Sequence, residues 1–204
     1  MTREIFIEMV RRQIYGGFMS DDAEITIGLV NTMIEPSIGI AAKQCYKDTA
    51  ALDGIAYVNN TFYTTFKNLS ISYDEQFLWK VTLPQVPVGI GATEGIPTVQ
   101  IKDNSTPQLS YPVLLLSENQ RSYHRGMRPI PNKILGYPQG DLIFIESTII
   151  LNQFTAYVTM ISSGDSTDMD STLNVPQDYI PIMMDWIQKQ LILERNMPVD
   201  TQND

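Results

Sequence analysis

Residues Thr61–Asp74 read TFYTTFKNLSISYD. The run is rich in Thr, Ile, Tyr and Phe, the β-branched and aromatic residues that suit a pleated, half-buried surface, and its apolar residues partly alternate. It is read as a strand. The sequence before it repeats its apolar residues at helical spacing, so the chain changes character near residue 60. That change sets the fold class.

Upstream, TREIFIEMVRRQIY (residues 2–15) places Ile5, Phe6, Met9, Val10 and Ile14 near one helical stripe. Thr2, Glu4 and Glu8 early and Arg11 and Arg12 late match the helix dipole. Gly16 then stops the helix. In SDDAEI (residues 20–25), Ser20 is a candidate cap and Asp21, Asp22 and Glu24 favour a new amino end. The helical reading runs on from Asp21. Pro36 is expected to kink it or to start another helix, and Asn59 and Asn60 are candidate ends. Two or three helices are expected in the first sixty residues.

Downstream, EQFLWKVTLP, IPTVQIKDN, YPVLLLS, KILGYPQGDLIFIES and FTAYVTMIS continue the strand composition, separated by turn signals such as PVGIGATEG, DNSTP and YPQGD. YPQGDLIFI reads as a tight turn entering a strand. This middle is expected to form a small antiparallel sheet, closed or sandwiched, with long loops. After a polar, acidic stretch, PQDYIPIMMDWIQKQLILERN (residues 176–196) reads as a closing helix. Its stripe includes Tyr179, Met183 and Trp186, candidates for internal packing or a subunit contact. The expected class is α+β, with helices over 1–60, a β-rich domain over 61–162, and an acidic loop with a closing helix over 163–204.

Composition bounds the function. The 204 residues suit one domain with an appendage, and only 18% are charged. The formal net charge of -9 at pH 7 argues against a general nucleic-acid coat. The imbalance is local, because residues 161–204 hold eight acids and two bases. One cysteine and one histidine exclude an intrachain disulfide and a Cys/His zinc site. No signal peptide and no membrane span are expected, and no cofactor or metal is indicated.

The histidine lies in SENQRSYHRGMRPIPNK (residues 117–133), amid Arg121, Arg125, Arg128 and Lys133. A catalytic histidine needs a nucleophile or an orienting carboxylate. No such constellation is legible around His124, and Arg121 and Arg125 would lower its proton affinity. An enzyme is therefore not expected. The positive groups fit a solvated loop, a protein interface or phosphate contact in a channel, and the sequence leaves these open. GIGATEG (residues 89–95) fails both phosphate-loop and dinucleotide patterns, since Glu94 stands where each requires glycine. The acids of DSTDMD (residues 165–170) lack the glycine and glutamate of a calcium loop. The acidic segment from Asp165 to Asp178 is expected to be mobile alone and ordered in an assembly. Cys45 reads as core.

Four stretches then carry a resemblance: REIFIEMVRRQI with the acidic SDDAEIT after it, LPQVPVGIGATEGIPTVQI, PNKILGYPQGDLIFI, and LNVPQDYIPIMMDWIQKQL. Taken in this order, they resemble the neck or ring proteins of crAss-like tailed bacteriophages. The resemblance implies a non-enzymatic virion protein. It implies a homo-oligomeric ring, usually twelvefold, below the portal protein, extending the channel for double-stranded DNA and receiving the next neck or tail protein. The expected location is the virion neck, after assembly in the host cytoplasm. No ligand residue transfers by motif. A head-completion protein, a tail terminator or a small phage hydrolase remain as alternatives.

Overall fold

The computed structural model describes residues 1–16, 25–73, 79–90, 95–106, 109–117, 120, 133–147, 150–162 and 167–195. The chain forms two compact units. One joins residues 1–62 to 162–204, and the other is residues 63–161.

In the first unit, α1 spans Arg3–Ile14. Its first backbone donors have no partners inside the helix. The Thr2 hydroxyl accepts from the Ile5 amide at 3.4 Å. The amides of Arg3 and Glu4 donate to the carbonyls of Ser171 and Met169, each at 3.0 Å, and the Leu173 amide donates to the Met1 carbonyl. A bridge between Thr2 and Thr172 completes the seam. The acidic segment therefore closes the start of α1, where the sequence suggested a stretch that waits for a partner. The α1 stripe is also corrected. Phe6, Ile7 and Val10 are buried, while Ile5 and Met9 point outward.

The helix α2 spans Ile27–Asp53 and passes through Pro36 without ending. Thr26 caps it, accepting from the Leu29 amide at 3.1 Å, so the helix begins beyond the expected Asp21. Ser20 and its neighbours to Glu24 lie outside the described residues. It ends at Gly54, whose φ of +71° is the left-handed stop that glycine adopts at little cost; Asn59 and Asn60 fall beyond it. Val30, Met33, Ile34, Ile38, Ala41, Ala42 and Cys45 are buried, a single stripe at steps of three and four. The closing helix α3, Ile180–Arg195, follows a 3-10 turn over Gln177–Tyr179. It packs on α2 and α1 and buries Met183, Ile187 and Leu191.

The second unit is a closed seven-stranded barrel of β1 (Tyr63–Tyr73), β2 (Trp79–Thr82), β3 (Thr98–Asp103), β4 (Ser110–Leu115), β5 (Ile134–Gln139), β6 (Leu142–Glu146) and β7 (Phe154–Ile161). Around the barrel the order is β1-β2-β6-β5-β4-β3-β7, and β7 pairs back to β1. All pairs are antiparallel except β4 with β5, which is parallel, so the expected β-rich middle is a closed barrel with one parallel pair. Closure leaves no open sheet edge. Gly140, with φ +63°, opens the two-residue turn from Gln139 to Leu142, where a tight hairpin demands a positive φ.

The partial alternation of β1 has a physical cause. Phe66 pairs with Val158, but Leu69 pairs with Ala156. One extra residue is therefore inserted in β1 against β7, a β-bulge. Asn68 sits there with φ +59°, a conformation asparagine tolerates better than other non-glycine residues. The bulge shifts the phase of the strand. Phe66, then Leu69 and Ile71, can all pack against a core that contains Ile101, Ile145, Val158 and Met160.

Candidate functional site

Arg121, His124, Arg125 and Arg128 lie outside the described residues. Lys133 is exposed at the entry to β5. It follows β4 in sequence by a stretch largely outside the described residues, and β4 and β5 pair in parallel. The three helix candidates separate. Met183 is fully buried in the core of its own unit, whereas Trp186 is half-buried. Tyr179 stacks its edge on Phe62, centroids 5.7 Å apart, and donates its hydroxyl to Asp48 Oδ2 at 3.2 Å. Burial, then the Cys45 thiol and the Asp48 carboxylate, push the Tyr179 phenol above its ordinary pKa. Cys45 itself is buried. These contacts tie α2 to the start of the closing helix.

A second group of polar side chains is assembled by the barrel. Strand β7 lies between β1 and β3, and the period of two sends alternate residues outward. Thr65 and Lys67 of β1, Thr98, Gln100 and Lys102 of β3, and Tyr157 and Thr159 of β7 line one shallow outer groove of about 460 Å³. The hydroxyls of Thr65 and Thr159 are hydrogen-bonded at 2.9 Å. The Lys102 ammonium stands over the Tyr157 ring, 4.2 Å from its centroid. Tyr157 in turn donates its hydroxyl to Asn68 Oδ1 at 2.8 Å. The bulge residue thus fixes the ring, and the ring fixes the cation.

Among the described residues, the groove lining contains no carboxylate. Asp103, next in sequence to Lys102, is engaged elsewhere. Its carboxylate accepts from the Ser105 hydroxyl at 2.6 Å and the Ser105 amide at 2.8 Å. Those contacts hold it below the usual carboxylate range. Among the described residues, ion pairs join Arg12 to Glu8 and Lys189 to Asp185, both outside this groove. The wider charge distribution has the same sense. Residues 63–161 carry seven acids and seven bases, so the entire net charge of -9 belongs to the helical unit.

Sequence reasoning missed this group because its members come from three separated segments. The signal was present in each strand. Thr98, Gln100 and Lys102 alternate with Val99 and Ile101, and Thr155, Tyr157 and Thr159 alternate with Ala156 and Val158. Only the pairing of β7 with both β1 and β3 makes them one surface.

Other candidates are weaker. A cavity of about 210 Å³ between Val86–Ile90, Gly95, Ile96, Leu115, Pro138 and Gly140 is mainly apolar. The Asp168 carboxylate accepts from the Asp170 amide in its own turn. No group of three metal-ligating side chains occurs among the described residues, and no described helix is long and apolar enough to cross a membrane. No protein-family model matches the chain, and no curated protein matches it either.

Proposed function

We propose that this chain is a structural subunit of a closed ring in the neck of a tailed bacteriophage, twelve copies extending the DNA channel between the portal protein and the next neck or tail protein. The observation that carries the assembly part is a pair of exposed apolar groups in the helical unit. Ile5 and Met9 are 50% and 41% exposed on α1. Leu52 and Ile55, at the end of α2, are 84% and 70% exposed. The second group is held firmly. The Thr49 hydroxyl donates to the Tyr57 carbonyl at 2.7 Å and accepts from the Tyr57 amide at 3.1 Å, and the Tyr57 hydroxyl donates to Asp53. A ring needs a heterologous interface, in which each copy offers two different surfaces. Two separate apolar groups suit that need, and their burial between copies supplies the driving force. The placement in a phage neck rests on the resemblance of the sequence.

The test uses two variants, Ile5→Glu/Met9→Glu and Leu52→Asp/Ile55→Asp, with mass measured by light scattering. The wild type is expected to form one closed species, and each variant a folded monomer. An equimolar mixture of the two retains one intact interface per pair, so it is expected to stop at two copies. A mixture that stays monomeric, or variants that assemble like the wild type, would overturn the head-to-tail reading.

A further inference from the structure

We propose that the outer groove of β1, β7 and β3, centred on Lys67 and Lys102 and lined by no carboxylate among the described residues, receives the exposed carboxylates of a second copy of this chain, those of Asp168, Asp170 and Asp178. This deepens the ring reading and rests on it.

Three observations carry the proposal. The first is that the face is built. Lys102 is held over Tyr157, and Tyr157 is held by Asn68 at the bulge. An ammonium already positioned loses less conformational freedom on pairing than one swinging on a free stem. The second is complementarity. The barrel unit is neutral as a whole and the helical unit carries the full excess of acid. The third is availability. Asp168, Asp170 and Asp178 are exposed, and none takes part in an ion pair among the described residues. The backbone around Asp170 is held, because the seam from Met169 to Leu173 is hydrogen-bonded to the first residues of the chain.

The occupant follows from the same features. Two cations amid threonine hydroxyls, one glutamine amide and a tyrosine ring suit a few carboxylates at fixed spacing better than a regular line of phosphates. Such contacts set register and partner choice more than they set raw affinity. The apolar groups of the helical unit would provide the burial, and the charged face would select the relative placement of neighbours.

The experiment compares the wild type with Lys67→Glu/Lys102→Glu and with Asp168→Lys/Asp170→Lys/Asp178→Lys. Self-association is followed by sedimentation velocity from about 50 mM to about 500 mM salt, with circular dichroism to check folding. Binding of a labelled double-stranded DNA fragment is measured in parallel. The expected result is association that weakens with salt in the wild type and is about tenfold weaker in either variant at low salt, with recovery when the two variants are mixed. Unchanged association in both variants would overturn the proposal while leaving the ring reading intact. A wild type that never associates would sink both. Loss of DNA binding in Lys67→Glu/Lys102→Glu, with association unchanged, would reassign the face to nucleic acid.

Discussion

Tyr179 shows how much a single side chain can couple. Its ring meets Phe62 and its hydroxyl meets Asp48, so it joins α2 to the turn that leads into α3. Removing that hydroxyl while keeping the ring, as in Tyr179→Phe, is expected to cost about 1 kcal/mol near neutral pH. The pH dependence has a definite sign. The native phenol holds its proton above the ordinary value, chiefly through burial and then through Cys45 and Asp48. The stability it contributes is fully present below the unfolded pKa of about 10 and is lost as pH rises toward the folded value. Urea unfolding across the alkaline range is the check. The gap between wild type and Tyr179→Phe is expected to close above pH 10, and a constant gap would contradict the assignment. The stripe that marks Tyr179 was legible in the sequence, because its neighbours recur at helical spacing. Its hydroxyl partner was not, since Asp48 lies 131 residues away in the chain.

At the level of elements, local chemistry marked most of the architecture. Thr2 was recognisable as a cap, Gly140 as a turn residue and each barrel strand by its composition. Three features hid. The β1 bulge disguised alternation, because one inserted residue moves every later side chain to the other phase. Thr26, and not an upstream residue, caps α2. Pro36 failed to divide that helix, where a buried stripe on both sides of the proline outweighs one lost backbone bond. The parallel pairing of β4 and β5 was also hidden, and Gly136 reports on it. A methyl group at Gly136 would stand 2.7 Å from Val113 Cγ1 and 2.9 Å from Leu115 Cδ2, both on the parallel neighbour. Gly136→Ala is expected to destabilise the protein by about 1–3 kcal/mol through overpacking. Equilibrium denaturation would show this as a lowered midpoint, and an unchanged midpoint would mean that β4 and β5 are not packed as described.

For the whole molecule, the decisive relations are the least local ones. Strand β7 joins β1 to β3 across most of the length of the barrel sequence, and no short-range pattern encodes which strands become neighbours. The same pairing collects Lys67, Lys102 and Tyr157 on one face. The division of charge follows from the same chain path, since residues 1–62 and 162–204 share one unit and bring together acids from both ends of the sequence. The basic stretch from Arg121 to Lys133 attracted notice because its charges are contiguous; the groove on β1, β7 and β3 did not, because its charges meet only after folding. An oligomer fits this plan at two levels, with apolar side chains exposed on α1 and after α2, and with a neutral barrel unit and an acidic helical unit in one chain. The most direct test of the ring reading is electron cryomicroscopy of the assembled particles that contain this chain. The predicted result is a closed ring of this subunit, about twelve copies related by cyclic symmetry, coaxial with the DNA channel and seated between the portal and the next tailward component. Density for isolated copies without contact to one another, or for this chain away from that axis, would contradict it.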